Sequence, residues 1–212
     1  MIKRIPSRLS GRSFSNGILL IGGNKKAVAV RNKEGELEIE TSVIQNYPKN
    51  KFLNMLKLAF LGIVEAVKVF KKNGSISIIK LFKYHGAEHK VIHCYENGME
   101  LNVENAKKCS KYHPRCGSNL AANVLVVEGL ICLIVPSKIR NALCGMVDVV
   151  LFLVALFAGF KMSRYAAENN NKLSKIISVP GKLLQKVTVL EPDDEMLECG
   201  IEAAKNLVQS EY

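Results

Sequence analysis

Two apolar runs, Leu120–Pro136 (LAANVLVVEGLICLIVP) and Ala142–Phe160 (ALCGMVDVVLFLVALFAGF), flank a short polar connection that ends SKIRN. A helix needs about 20 apolar residues to cross hydrocarbon. The second run reaches that length, and the first stands at its short limit. A chain of 212 residues forms one compact domain or two small ones, with little core in which to hide both runs. They therefore read as an inserted helical hairpin over 120–160, in preference to a buried hairpin of a soluble protein. A lipid bilayer is the first partner expected.

The flanking charges give an orientation. Lys107, Lys108, Lys111 and Arg115 precede the first run, and Lys161, Arg164, Lys172 and Lys175 follow the second. The connection carries only Lys138 and Arg140. Basic residues gather on the cytoplasmic side of spanning helices. Both ends of the hairpin, and with them the region before it and the C-terminus, are expected there. Glu128 and Asp148 lie inside the two runs and reach similar depth if the helices pair antiparallel. Such an intramembrane acidic pair marks ion or proton handling, or rests against protein or a wet interface. Two helices cannot line a pore alone, so a transport reading requires a homo-oligomer.

The formal net charge is +11, with 23% charged residues and a mean hydropathy of +0.10. A basic excess serves nucleic acid, anionic lipid or membrane orientation. Aromatic residues are only 7% and do not interleave with basic ones, so no nucleic-acid partner is expected. The six cysteines are scattered, two of them (Cys132 and Cys144) inside the apolar runs. This is no dense disulfide framework, and a reducing compartment follows. The opening MIKRIPSRLSGRSF is basic but lacks an adjacent apolar core of signal-peptide length, so no cleaved signal is expected.

Upstream, KKAVAVRN and GELEIETSV flank a turn around Asn32–Gly35, and residues 18–43 read as a small β unit. Leu37, Ile39 and Thr41 alternate with Glu36, Glu38 and Glu40, giving one packed and one wet face. In 51–70, Leu56, Phe60, Ile63, Val67 and Phe70 recur at helical spacing. Lys57, Glu65 and Lys68 make a full crossing costly, so this helix either packs on the domain or lies at a membrane surface, before Asn73-Gly74 ends it. Downstream, Asp193 or Asp194 opens a helix whose apolar face is Leu197, Ile201, Ala204 and Val208. GKLLQKV forms a short surface or packing helix.

The chemistry concentrates in KYHGAEHK, residues 83–90. HGAEH fits H-x-x-E-H, the inverse of the common zinc-protease motif. His85 and His89 share one helical face and can meet one ion at the usual zinc–nitrogen distance of about 2.0–2.1 Å. Glu88 is placed to take a proton from metal-bound water. The five-residue pattern is weak alone, and Gly86 counts against a regular helix. HPRCG, residues 113–117, adds an imidazole and a thiol on a turn. His85, His89, His113 and Cys116 together would close a tetrahedral, structural site. Leaving one off the ion opens a position for water. His93 extends the face too far for the same ion. Glu96, Glu104 and Asn105 are candidates to orient imidazoles. Solvent exposure is the commoner fate of Glu104. Arg115 is placed to grip an anionic substrate or headgroup, or serves only orientation.

HGAEHK, CYE (94–96), VEN (103–105) and HPRCG, with the tail motifs around Pro180-Gly181, Leu184-Gln185 and Glu191–Asp194, resemble the core of a YqhQ-like family of bacterial membrane proteins, built around the domain of unknown function DUF1385. The resemblance covers most of residues 76–209 and is looser for Asn16–Leu20 and Ala27–Val30. It implies a compact member of a family of predicted metal-dependent enzymes, and a bacterial cell membrane.

The expected architecture is an α+β integral membrane protein. It comprises a β-rich region (1–50), an amphipathic helix (51–75), the metal-site region (76–119), the transmembrane hairpin (120–160) and a helical tail (161–212). The expected function is a zinc-dependent hydrolase at the cytoplasmic face, acting on a peptide or lipid-linked substrate. The competing reading is a scaffold or metal-handling protein with a structural His/Cys site.

Overall fold

The computed structural model describes residues 9–45, 50–73, 77–141 and 145–209. The basic opening residues 1–8, Gly74, and residues 142–144 at the start of the second apolar run lie outside the described residues. The chain divides into two compact units, Met1–Tyr112 with Thr188–Tyr212, and His113–Val187.

The first unit is built on an antiparallel meander of β1 (Leu9–Phe14), β2 (Gly17–Gly22), β3 (Lys25–Arg31) and β4 (Leu37–Val43), in that spatial order. The β3–β4 turn falls where the sequence places it. Asn32 Oδ1 accepts the amides of Glu34 and Glu36, and Gly35 takes φ 85°, a left-handed conformation that suits a residue without Cβ. β1 is a strand the alternation did not reveal.

Both faces of β2 are buried, and its side chains sort by parity. Ile18 and Leu20 enter one core, Leu19 and Ile21 the other. The second core is closed by Leu58, Leu61 and Val69 of α1 (Lys51–Asn73). The periodic face Leu56, Phe60, Ile63, Val67 and Phe70 is therefore α1's outward face, and all five are exposed. Glu65 points inward and pairs with Lys26 of β3 at 2.5 Å and with Lys68 at 3.0 Å.

The first core is closed by α2 (Ile78–Glu96) and α9 (Asp194–Gln209), with α3 (Val103–Lys108) beside them. Asp193 Oδ1 accepts the Met196 amide and so caps α9. Leu197, Ile201 and Ala204 are buried as their spacing requires.

In the second unit, α4 (Gly117–Ile134) and α6 (Met146–Glu168) are linked through the single turn α5 (Ser137–Arg140). Both are long and apolar enough to cross a membrane. They pack closely at Gly159, where a Cβ would stand 2.7 Å from Val124 Cγ2. Asn123 Nδ2 donates to Ser163 Oγ at 2.9 Å, and that hydroxyl donates to Asn119 O. Asp148 forms an ion pair with Arg140 at 3.7 Å, while Glu128 lies half-buried along α4. After α6 come α7 (Lys172–Ile177) and α8 (Val179–Thr188).

Candidate metal centre

α2 carries HGAEHK as unbroken helix, started by Ser77, whose side chain accepts the Lys80 amide. Gly86 does not weaken the helix but brings it against another strand of chain. A Cβ at Gly86 would lie 2.0 Å from the Leu190 carbonyl oxygen, and the Leu190 amide donates to Phe82 O at 3.0 Å. That approach carries Thr188 over His85.

One helical turn apart, the His85 and His89 rings meet edge-on with centroids 4.5 Å apart. His85 Nδ1 lies 3.0 Å from Thr188 O, and His89 Nδ1 lies 2.5 Å from Lys111 O. A carbonyl oxygen only accepts, so each Nδ1 carries the proton and each Nε2 presents its lone pair. That tautomer, locked by a backbone acceptor, is the arrangement of a metal-ligating histidine.

The segment leading to Lys111 is held by Lys90, a buried lysine the motif reading left without a role. Its ammonium donates to Lys107 O at 2.9 Å and Cys109 O at 3.1 Å and pairs with Glu191 at 2.7 Å. Burial opposes the Glu191 charge, but Lys90 and Lys111 hold its carboxyl below the ordinary value. Lys90 thus pins the segment leading to His89's acceptor.

Glu88 is buried on the same helix, against β1. A Cβ at Gly11 would lie 2.7 Å from Glu88 Oε1, so only glycine fits there. Burial pushes the carboxyl up from its ordinary value, while the charges of His85 and Arg12 pull it down.

In the second unit HPRCG forms a turn that leads into α4. Cys116 is the N-cap, and its sulfur accepts from Ser118 N at 3.4 Å and Ser118 Oγ at 3.0 Å. Those donors and the positive end of an 18-residue helix suit a thiolate ligand. Gln185 holds the turn from α8: Oε1 accepts the His113 amide and Nε2 donates to His113 O, each at 3.0 Å. His113 is buried, and its Nδ1 accepts the Arg115 amide at 3.2 Å.

His85 and His89 offer two imidazole nitrogens from the first unit, and Cys116 offers a sulfur from the second. Cys116 follows Lys111, the partner of His89, by five residues, a tether of at most about 18 Å. Two imidazoles and a thiol suit zinc and neighbouring transition metals and are a poor set for magnesium or calcium.

The remaining candidates have other contacts. Glu104 is exposed, 3.8 Å from Lys108, and Asn105 Nδ2 donates to Glu100 O. Glu96 ends α2, half-exposed, and Arg115 is exposed on the turn. His93 Nε2 lies 2.9 Å from Tyr112 O. Main-chain carbonyls, which no sequence motif encodes, orient both imidazoles of the pair.

Residues 39–210 match the family of proteins of unknown function DUF1385. The chain belongs to this family. The DUF1385 match takes in β4 from Ile39 onward and every helix described above. Over 140 residues the chain is 36% identical to the uncharacterised protein YqhQ of Bacillus subtilis (strain 168). That alignment takes in 63% of this chain and 42% of YqhQ, so the chain spans under half the length of that relative. No solved structure matches.

Proposed function

We propose that the chain is a membrane-anchored metal-binding protein whose ion has a structural or metal-handling role. The observation that carries this reading is the pairing of His85 and His89 one turn apart on α2, each with Nδ1 on a main-chain carbonyl and Nε2 left to face an ion. Cys116 and His113, three residues apart on the HPRC turn, would supply the remaining two ligands of a closed tetrahedral site. Zinc is the first metal to test, since a closed His/Cys set suits its lack of geometric preference.

The membrane part rests on α4 and α6. Leu125, Leu130 and Leu133 on one, and Val150, Leu153 and Phe157 on the other, are exposed, unlike the side chains of a soluble core helix. Lipid is the solvent that removes this cost. The basic residues outside the pair favour the cytoplasmic side of a bacterial membrane for the histidine pair and the C-terminus.

A second reading, hydrolysis of a peptide or lipid-linked substrate, has one specific observation in its favour. Glu88 sits beside His85, and its carboxyl is shifted upward, the direction a general base near neutral pH requires.

Elemental analysis and X-ray absorption of the purified full chain test both readings. One zinc per chain with two to three nitrogen neighbours and one sulfur supports the first, and loss of the ion in His89→Ala identifies the ligand. Full occupancy in His89→Ala sinks the site. An oxygen neighbour in place of His113, with hydrolytic activity lost in Glu88→Gln while the metal stays, would transfer the conclusion to the hydrolase.

A further inference from the structure

The segment after α6 has two faces with different fates. Inward, Ser174 is buried and forms a capping box with Asn171. Gly181 abuts the first turn of α4 so closely that a Cβ would stand 1.7 Å from Asn119 Oδ1. Gln185 is buried and spends its amide on His113 O and on Asn119 Oδ1, 3.2 Å away. Outward, Leu173, Ile176, Val179, Leu183 and Val187 form a stripe through α7 and α8, each between 49% and 67% exposed. Their spacing of three and four residues keeps them on one side of a nearly continuous helix. Lys172, Lys175, Lys182 and Lys186 border the stripe and are exposed. From Asn169 to Leu190 there is no acidic residue.

We propose that α7 and α8 form a strap lying in the surface of an anionic lipid leaflet, its apolar stripe among the acyl chains and its four lysines on headgroup phosphates. The proposal rests on the membrane reading of α4 and α6. Three facts favour lipid as the occupant. Only residues 169–171 separate α6 from α7, so α7 begins within about 14 Å of the end of the span. An apolar stripe edged by lysines is the pattern of a helix lying in an interface. A second copy of the strap would set four lysines against four, whereas an anionic leaflet complements them.

The consequence concerns the HPRC turn. Gln185 grips His113 from one face of a helix whose other face would rest in lipid. The turn that supplies Cys116 is then held at the bilayer surface.

The chain contains no tryptophan, so single substitutions report their own surroundings. Full-length Leu183→Trp and Ile176→Trp would be placed in nanodiscs containing phosphatidylglycerol brominated near the headgroup end of its acyl chains. Leu130→Trp on α4 serves as the reference for the span. Bromolipid should quench Leu183→Trp and Ile176→Trp by about twofold, as for an interfacial helix. Quenching should fall in zwitterionic discs, and replacing the four lysines with glutamine should abolish that lipid dependence. Unquenched Leu183→Trp beside quenched Leu130→Trp overturns the strap and leaves the span standing. If Leu130→Trp is also unquenched, the membrane reading itself has failed. Protection of Leu183→Trp from both bromolipid and aqueous acrylamide means that protein covers the stripe, and equally overturns the proposal. Equal quenching in anionic and zwitterionic discs overturns the headgroup contacts.

Discussion

The Nδ1 atom of His89 lies 2.5 Å from the carbonyl oxygen of Lys111, five residues before Cys116. One backbone acceptor thus fixes the imidazole's tautomer and ties the chain a few residues before Cys116 to this histidine. Lys90, one residue from His89, bonds the same segment at Lys107 and Cys109. The HGAEHK motif therefore contains an imidazole and the anchor of the segment that orients it.

Cobalt should report the thiolate directly. The Co²⁺-loaded chain should show a sulfur-to-metal charge-transfer band in the near ultraviolet if Cys116 is the thiol ligand proposed above. Cys116→Ser should lose that band, and Cys94→Ser should keep it. An unchanged spectrum in Cys116→Ser would remove this residue from the ligand set.

Gly86→Ala should lower stability by about 1–3 kcal/mol, the usual range for overpacking. Its Cβ would collide with the Leu190 carbonyl, and the displaced segment carries Thr188, the partner of His85. Metal affinity should fall with it. Gly129→Ala, with open space around its Cβ position, should change neither. Denaturant titration with a chelator competition would show the difference. Equal behaviour of the two variants would contradict the close approach.

The Glu65 pair should make stability depend on pH in acid. Burial opposes the Glu65 charge, but Lys26 and Lys68 hold the folded carboxyl below its ordinary value of 4.5. A depressed folded pKa contributes stability that is full above the unfolded value and is lost as pH falls through the folded one. Glu65→Gln should cost on the order of 1–3 kcal/mol at pH 7, with the deficit shrinking below about pH 4.5. Thermal melts followed by circular dichroism across that range provide the check. A deficit that stays constant down to pH 3 would exclude the ion pair as its cause.

The chain should stay in the membrane pellet after alkaline carbonate, because α4 and α6 would expose long apolar faces to water. Lys172→Cys should resist an impermeant thiol reagent in intact cells and react after permeabilisation, relative to the parent chain. Release by carbonate would end the spanning reading. Ready labelling of intact cells would invert the orientation.

The sequence alone determined the elements whose signal is local. Hydropathy marked α4 and α6, because apolar length needs no partner to be recognised. Alternation marked the β3–β4 hairpin, helical spacing marked α9, and the repeat of His85 at His89 marked one face of α2. Family membership was legible in the same motifs.

Tertiary structure decided what depends on segments remote in the chain. The periodic stripe of α1 turned outward, because the sheet took Leu58, Leu61 and Val69 instead. Gly86, read locally as a weak point in a helix, is the site of contact with Leu190. Lys111, Thr188 and Gln185 act through a carbonyl, a carbonyl and an amide, on His89, His85 and His113. Every residue carries a backbone carbonyl, so no pattern of side chains records which ones a fold will aim at an imidazole.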